Sequence, residues 1–286
     1  MKLVKLKNAV LPNLPDNEEP YASRHIPKQG IPLHHLGVFL GGTGSGKTMA
    51  LKFLEWYGKA GSFDRLVVFS PTGMKDPKTK RFIQDDHYFD VTYYPKYADD
   101  IMREEAHNFE ADIQEWEQFK KQKQAYEKYQ RCKDVEDLTM EDSQYLHECD
   151  FEKPKWKYPK EQWPCFAVLI DDHACSKGVF GTSNKGYLSE FCVGHRHFST
   201  SVYLLSQVFM GFVPKQFRGG IVNLWALFST KSQHHKEEIA EQVANKVDEK
   251  TFIQCGVRHS QRNILVSTVS PCHFNNNGCR CELAHG

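Results

Sequence analysis

The chain has 286 residues, 40% of them hydrophobic and 26% charged, and its formal net charge is +1. These values are typical of a globular protein with one large domain or two small ones. A charge so close to zero excludes bulk electrostatic attraction to nucleic acid or to an anionic membrane, so any DNA contact would be local. The N-terminus lacks the apolar core of a signal peptide, and no run of about 18 apolar residues predicts a transmembrane helix.

The first predicted strand leads into the most informative loop of the chain. Residues 1–34 are rich in proline and charge and predict an irregular N-terminal segment. The apolar run 36–40 predicts a buried strand, and residues 49–57 predict a helix. Between them, residues 41–48 read Gly-Gly-Thr-Gly-Ser-Gly-Lys-Thr, which fits the phosphate-binding P-loop motif (Walker A). Strand, glycine loop and helix are the context that this motif requires.

The residue types of this loop suit a nucleoside triphosphate. Glycines permit positive φ angles, so that successive N–H groups can turn towards phosphate oxygens, and the helix N-terminus adds partial positive charge. Lys47 can reach the β- and γ-phosphates, and the Thr48 hydroxyl can ligate Mg²⁺. We therefore expect ATP and Mg²⁺ as ligands. The predicted nucleotide-binding residues are Gly41, Gly42, Thr43, Gly44, Ser45, Gly46, Lys47, Thr48 and Met49.

The middle of the chain changes character after two further predicted strands, 65–69 and one near 89–94. Residues 98–160 predict a charged helical insertion with a second, shorter helix at about 140–148. Its first helix carries a heptad-like apolar stripe of Met102, Ala106, Phe109, Ile113 and Trp116, followed by Phe119 and Tyr126. Such a stripe packs on the core or contacts a neighbouring subunit or partner, and the packing role is the one we favour.

The second half of the chain returns to strands. Apolar runs predict strands at 166–170, 200–206, 221–228 and 263–269, with a helix at 234–246. Alternating strands and helices imply a mainly parallel sheet with helices on both faces. We predict three parts: the irregular segment 1–34, a P-loop domain over 35–270 that contains the insertion, and a Cys/His-rich tail over 271–286.

Polar residues end two of these strands. The run ending in Asp171 and Asp172 fits a Walker B element, an apolar strand closed by acids. Because ligands bind at the carboxyl ends of parallel strands, Asp171 is expected beside the P-loop, where it would hold Mg²⁺ together with Thr48. Asp172 is the candidate that orients or deprotonates the attacking water. Gln207 ends the next strand and is a candidate sensor of the γ-phosphate.

Two arginines compete for the role of an arginine finger, which stabilises the charge of the transferring phosphoryl group. Arg196 lies in Gly-His-Arg-His-Phe-Ser-Thr, residues 194–200, and Arg218 follows Pro-Lys-Gln-Phe, residues 214–217. A guanidinium is always charged and suits phosphate, and a finger can act in cis or in trans. We favour Arg196 in trans, with Arg218 as the alternative.

In this order, the segments GGTGSGKT, VLIDD, GHRHFSTSVYLLSQ and VPKQFRGG resemble the FtsK-HerA superfamily of P-loop ATPases. The resemblance is greatest to its viral genome-packaging branch, that of large DNA viruses, virophages and polinton-like viruses. It covers about residues 36–230, apart from the insertion. It implies a RecA-like (ASCE) P-loop NTPase fold, a homo-oligomeric ring, commonly hexameric, and action on double-stranded DNA at a capsid or portal vertex. Asp172 departs from the glutamate of the wider superfamily, although the acid is kept.

The C-terminal tail raises a separate possibility. Nine cysteines in a chain without a secretion signal favour free thiols or a metal site over disulfides. Three cysteines and a histidine of the tail could supply four soft ligands for Zn²⁺; these residues are Cys272, Cys279, Cys281 and His285. Their spacing is not that of a standard zinc finger, and the alternative is a tail with free thiols.

The sequence thus predicts an ATP-driven motor that moves double-stranded viral DNA into a capsid. It would work in the virion or the host cell and would not be secreted. A helicase-like or conjugative DNA-transfer ATPase keeps the same chemistry with another task. A small-molecule kinase is a weaker alternative, because kinases exclude water and a second Walker B acid would be misplaced. The last alternative is a nucleotide switch that does not hydrolyse.

Overall fold

The computed structural model describes residues 24–28, 30–42, 49–84, 88–131, 138–171, 186–207, 213–214, 217, 221–228 and 265–268. In chain order the elements are β1 (Leu36–Leu40), α1 (Met49–Ala60), β2 (Arg65–Phe69), α2 (Pro77–Gln84), β3 (Asp90–Tyr94), α3 (Asp99–Arg131), α4 (Met140–Glu148), β4 (Phe166–Asp171), α5 (Tyr187–Gly194), β5 (Thr200–Ser206), β6 (Leu224–Leu227) and β7 (Leu265–Thr268).

The strands form one sheet in the order β3-β2-β4-β5-β1-β6-β7. Every neighbouring pair from β3 to β6 is parallel, and β7 pairs antiparallel with β6 at the edge. The central strands β1, β4 and β5 are buried apart from Asp171 at the end of β4, and they are mostly apolar, as expected where both faces of a parallel sheet are covered. The predicted mainly parallel sheet is therefore confirmed.

Two apolar layers cover the sheet, one on each face. Alternate residues of a strand point to opposite faces, so Val38 and Val168 lie in one layer and Phe39 and Leu169 in the other. Helices α3 and α5 pack on the first face, and α1 on the second, where Phe82 and Ile83 of α2 also pack. The helices thus lie on both faces, as predicted.

One strand separates the two strands that carry the predicted Walker motifs. β5 pairs with β1, which leads into the P-loop, and with β4, which ends at Asp171. This arrangement, with β2 beyond β4 and β6 beyond β1, is that of a RecA-like (ASCE) P-loop NTPase. The fold class predicted from the sequence is confirmed.

Helix α3 is both a core helix and the base of the predicted insertion. Met102, Ala106 and Phe109 are buried in the first apolar layer, and the Phe109 ring stacks on Phe166 with centroids 4.4 Å apart. Trp116 and Phe119 are also buried, and both contact the Trp156 ring. The apolar stripe therefore packs on the core, which is the role that we favoured for it.

Beyond Trp116, α3 packs against α4. A capping box at Thr139 and Asp142 starts α4, and Lys128 of α3 bonds both oxygens of the Asp142 carboxylate at 2.9 Å. These contacts join α3 and the predicted second helix, α4, into a helical hairpin. These contacts do not define the boundaries of the predicted parts of the chain, which stay predictions: 1–34, 35–270 with the insertion 98–160, and 271–286.

Arg24 joins the described residues before β1 to the loops that precede two other strands. Arg24 and Asp64 form an ion pair in which both side chains are almost fully buried. Arg24 also donates to the carbonyl oxygens of Trp163 at 2.7 Å and Gly61 at 3.2 Å, and Asp64 accepts the N–H of Cys165 at 3.0 Å. Because both side chains are buried and Arg24 also bonds two carbonyl oxygens, this pair ties the segment before β1 to the loops before β2 and β4.

The sequence did not predict α2 and α5. The predicted strand 221–228 is shorter in the structure, and the predicted helix 234–246 lies outside the described residues. Among the helices that the structure describes, none is both long enough and apolar enough to cross a membrane.

Two adjacent histidines precede β1, and both are buried. His34 is 2% exposed and His35 3% exposed. The Nδ1–H group of His35 donates to the carbonyl oxygen of Pro32 at 2.9 Å. Burial, the largest cause, lowers the pKa of His34 to about 3 and that of His35 to about 4. Both rings are therefore neutral in the folded protein near pH 7.

Because the pKa values of His34 and His35 are lowered, we expect the protein to lose stability in mild acid. Their folded pKa values lie below the ordinary value near 6.5, so below pH 6.5 the unfolded chain binds more protons. The two neutral rings make their full contribution to the free energy of unfolding above pH 6.5. As the pH falls towards 4, the free energy of unfolding decreases by up to about 1.4 kcal/mol per pH unit for each ring. Thermal unfolding between pH 7 and pH 5 measures this loss. His35→Asn, which keeps a donor but cannot titrate, should flatten the profile.

His107→Asn is the matched control, because His107 has a side chain 83% exposed on α3. Its unfolding profile should follow that of the wild type. If His35→Asn has the same pH dependence as the wild type and the control, burial of His35 does not govern stability in this range.

Candidate nucleotide-binding site

The carboxyl ends of six strands lie at one edge of the sheet, because those strands are parallel. Leu40 is the register partner of Ser206, and the N–H of Gly41 donates to the carbonyl oxygen of Ser206 at 3.1 Å. Asp171 is the register partner of Leu205 on the other side of β5. The predicted residues Gly41, Gln207 and Asp171 therefore lie at the ends of three adjacent strands, with Gln207 in the middle.

The P-loop begins where β1 ends. Gly41 is buried and Gly42 exposed, and among the residues that the structure describes a Cβ atom added at Gly42 would meet nothing within 4 Å. The described residues therefore leave room for a ligand to approach the backbone at Gly42. Residues 43–48, which include Lys47 and Thr48, lie outside the described residues.

Helix α1 starts directly after the loop, at Met49, whose helical backbone is described. Its first turn contains no acidic residue, so no carboxylate there opposes the partial positive charge of the helix N-terminus. An anion such as a phosphate group is favoured at this position. The helix ends where Gly61 adopts a φ of +76°, a conformation that glycine takes without strain.

Asp171 stands at the end of β4 and is partly exposed, unlike the five buried residues before it. The Ser70 hydroxyl donates to Oδ2 of Asp171 at 3.1 Å. Ser70 follows β2, and the sequence did not single it out. In the sequence, both β2 and β4 are apolar runs that are closed by a polar residue. That Ser70 lies beside Asp171 follows only from the pairing of β2 with β4.

A magnesium ion fits the groups at this edge by their chemistry. Mg²⁺ prefers oxygen ligands, and it usually keeps waters and binds through one or two protein groups together with substrate phosphates. The Asp171 carboxylate is an oxygen donor of that kind, and one strand, β5, separates it from the first glycines of the loop. Thr48 is the second predicted ligand and lies outside the described residues. Among the residues described, no group of three or more His, Cys, Asp or Glu side chains converges on one point.

Gln207 is exposed immediately after β5. Its neighbours on the two sides are the strand ends that carry Gly41 and Asp171. A carboxamide both donates and accepts hydrogen bonds, so it can contact a phosphate oxygen and a water molecule at once. This placement suits the predicted sensor role, which stays a prediction.

Arg196 lies at the opposite edge of the sheet. It is exposed in the turn between α5 and β5, four residues before Thr200. The seven residues of β5 separate it from Gln207, a span of about 20 Å at 3.3 Å per residue. Arg196 therefore cannot reach a nucleotide bound at the P-loop edge of its own chain, which leaves only a role in trans for the predicted finger.

The turn that carries Arg196 is held by the buried side chain of His195. Its Nδ1 lies 2.8 Å from the carbonyl oxygen of Cys192 and its Nε2 lies 3.0 Å from that of His34. Burial, the largest cause, lowers the pKa of His195. Ser199 closes the turn with a φ of 53° and accepts the indole N–H of Trp163 at 2.7 Å. The backbone that carries the exposed Arg196 is therefore held in place by these contacts.

The other predicted site residues lie outside the described part of the chain. These are Asp172, Arg218 and the four candidate zinc ligands Cys272, Cys279, Cys281 and His285. Their roles stay predictions.

No protein-family model matches the sequence, and no curated protein matches it. Similar solved structures include the DNA-packaging ATPase B204 of Sulfolobus turreted icosahedral virus, with 10% identity and a TM-score of 0.48 over 84% of this chain and 98% of that one. The genome packaging NTPase B204 of Sulfolobus turreted icosahedral virus 2, in complex with sulfate, has 12% identity and a TM-score of 0.44 over 82% and 91%.

The conjugation coupling protein TcpA of pCW3 has 15% identity and a TM-score of 0.39, over 76% of this chain and 53% of that one. Viral genome-packaging and conjugation proteins are thus among the structures to which this chain is similar. Because the TM-scores lie below 0.5, the fold assignment rests on the strand order described above.

The separation of Arg196 from the P-loop edge gives a direct prediction for the isolated chain. Arg196→Ala should leave the affinity for a fluorescent ATP analogue unchanged within about twofold, because the side chain lies about 20 Å from that edge. Lys47→Ala should abolish or strongly weaken the same binding, since it removes the charge predicted to meet the phosphates. Fluorescence titration at dilute protein measures both. An equal loss of affinity in the two variants would contradict the placement of Arg196.

Proposed function

We propose that the protein is an ATP-hydrolysing motor that moves double-stranded viral DNA into a capsid. The observation that carries the hydrolytic part is the position of Gln207 between the strand ends of Gly41 and Asp171. A polar group between the phosphate loop and a carboxylate can position a water molecule for attack on the γ-phosphate. A protein that binds a nucleotide without hydrolysing it does not need a polar side chain at this position.

The proposed roles follow the order of the groups along the edge. The P-loop amides and Lys47 hold the phosphates, and Gln207 orients the attacking water. Asp172, next to Asp171, takes up the proton of that water or orients it. Bound magnesium neutralises phosphate charge, and Thr48 and Asp171 would hold it.

The opposite edge of the sheet supports a ring of identical subunits. An arginine that cannot reach its own nucleotide becomes useful when the edge that carries it faces the P-loop edge of the next copy. Such a head-to-tail contact is heterologous, and it closes into a ring if the rotation between copies allows it. We propose a homo-oligomeric ring, a hexamer by its resemblance to related motors, in which Arg196 completes the neighbouring site.

The assignment to viral DNA comes from the sequence resemblance to the genome-packaging branch. A motor of this kind grips the phosphate backbone rather than particular bases. With a net charge of +1, those contacts must be concentrated on the surface that lines the pore. A capsid or portal vertex protein would be the second partner, in the virion or the host cell.

A conjugative or helicase-like DNA-transfer ATPase is the nearest alternative, because it needs the same composite site. It would hydrolyse ATP with DNA but would show no affinity for a capsid. A kinase would transfer phosphate to a small acceptor, and a switch would bind ATP without turnover.

The proposed motor should hydrolyse ATP slowly alone and several-fold faster with double-stranded DNA. Asp172→Asn keeps the size of the side chain but removes a base, and should lower kcat by about 100-fold or more while nucleotide still binds. Lys47→Ala should lose both binding and hydrolysis. Steady-state phosphate release measures these rates. No turnover by the wild-type protein in any condition would remove the motor function, and acceptor-dependent turnover would favour a kinase.

Mixed subunits test the trans role of Arg196. Arg196→Ala chains keep an intact P-loop, and Lys47→Ala chains keep the arginine, so each protein alone should be nearly inactive. In an equal mixture, about one quarter of the interfaces of a head-to-tail ring combine both intact halves, so about a quarter of wild-type hydrolysis should return. Phosphate release across a series of mixing ratios measures the rescue. No recovery at any ratio, with mixed rings shown to form, would contradict the trans role.

A further inference from the structure

Ser70 lies in a fully buried position at the edge of the sheet that carries the candidate site. It follows β2 directly, and its exposed fraction is 0%. Phe69 of β2 is the register partner of Ile170 in β4, so the next residues of the two strands, Ser70 and Asp171, lie side by side. Neighbours in register on parallel strands point to the same face, which brings a hydroxyl beside a carboxylate.

The backbone of Ser70 is held from the side opposite to Asp171. Its N–H group donates to the carbonyl oxygen of Tyr94 at 3.0 Å. Its carbonyl oxygen accepts the hydroxyl of Tyr93 at 2.8 Å. Both partners belong to β3, so Ser70 is fixed by the strand on its far side. Its side chain is therefore presented to β4 from a rigid support.

The side chain of Ser70 is directed at Asp171. The hydroxyl oxygen of Ser70 lies 3.1 Å from Oδ2 of Asp171, and an ionised carboxylate only accepts hydrogen bonds, so the serine donates. A hydrogen bond from a rigidly held donor fixes the orientation of the carboxylate plane. A carboxylate that binds a hard cation has to be aimed at it, and partners in the second coordination shell supply that orientation.

We propose that Ser70 is a positioning residue for Asp171: its hydrogen bond to Oδ2 fixes the plane of the carboxylate in the orientation in which Asp171 serves the magnesium ion of the nucleotide. The proposal rests on the magnesium-binding role of Asp171 within the proposed function. Ser70 does not touch nucleotide in this assignment and acts through Asp171 alone. Loss of its hydroxyl should therefore weaken the response to magnesium and leave the binding of metal-free nucleotide unchanged.

The experiment is a magnesium titration of full-length protein with a fluorescent, non-hydrolysable ATP analogue. The quantity measured is the Mg²⁺ concentration that gives half of the magnesium-dependent gain in binding. In Ser70→Ala this concentration should rise about tenfold, the lower end of what loss of an outer ligand partner costs in metal affinity. Ser70→Cys, which keeps a weak donor of similar shape, should give a smaller rise.

Ser201→Ala is the matched control. Ser201 is also 0% exposed and its hydroxyl oxygen accepts the N–H of His34 at 2.9 Å, but it lies near the amino end of β5, away from the candidate site. This variant measures what the loss of one buried serine hydroxyl does to the protein in general. Its magnesium requirement should equal that of the wild type, and its thermal stability should fall by about as much as that of Ser70→Ala.

A second comparison asks whether Ser70 acts through Asp171. Asp171→Asn should itself raise the magnesium requirement, because an amide is a weaker ligand than a carboxylate. Adding Ser70→Ala to Asp171→Asn should then have no further effect. Three outcomes would overturn the proposal: a wild-type requirement in folded Ser70→Ala, equal shifts in Ser70→Ala and Ser201→Ala, or a full tenfold effect of Ser70→Ala when it is added to Asp171→Asn.

Should Ser70→Ala not fold, Ser70→Cys decides, and a wild-type magnesium requirement in that variant is then the overturning result. The readout is independent of DNA and of turnover. If double-stranded DNA does not change the rate of hydrolysis, the motor function is contradicted and this inference is unaffected. If magnesium does not change nucleotide binding by the wild-type protein, this inference is contradicted.

Discussion

The parallel pairing of β2, β4, β5 and β1 is the constraint on which the site depends. Each strand is buried on both faces, so a shift of register by one residue would turn its whole set of side chains to the wrong face. The register therefore fixes where each strand ends. The residues at these strand ends, Ser70, Asp171, Gln207 and Gly41, come to one edge in the spatial order of the strands. Strand pairing thus brings their backbones together, and individual contacts such as the Ser70–Asp171 hydrogen bond then set the side-chain orientation.

The two edges of the same sheet consequently have different properties. At the carboxyl edge, loops start with glycine, serine and partly exposed acid, and the N-terminus of α1 faces the loop. At the other edge, the buried Arg24–Asp64 pair and the side chain of His195 lock the loops together around an exposed Arg196. Under the proposed function one chain carries the two halves of a composite site at opposite ends of its sheet. A two-fold symmetric dimer, in which the same patch meets itself, would not bring those halves together, whereas a head-to-tail contact does so at every interface.

Much of this arrangement could be predicted from the sequence, because continuous apolar runs identify buried strands and the P-loop identifies the first of them. The strands that are strongly apolar and the apolar stripe of α3 could be predicted directly from the sequence. Helix α2 was missed because its eight residues, PKTKRFIQ, are mostly polar and only Phe82 and Ile83 pack on the core. The role of Ser70 depends on which strand lies beside β2, and the burial of His34 and His35 depends on what covers them. Both are facts of tertiary packing that a single sequence does not contain.

The position of the helical hairpin follows from the continuity of α3. The helix runs unbroken for 33 residues, about 50 Å, and its first half is part of the core through Met102, Ala106 and Phe109. The half beyond Trp116 is therefore an extension of a core helix and takes its direction from it. Its Lys123 pairs with Glu161 at 2.5 Å, and Trp116 and Phe119 pack on Trp156, so the segment leading into β4 supports the base of the hairpin. Since the Phe109 ring stacks on Phe166 at the first residue of β4 and Asp171 is its last, the hairpin and the candidate site are joined by one buried strand and one stiff helix.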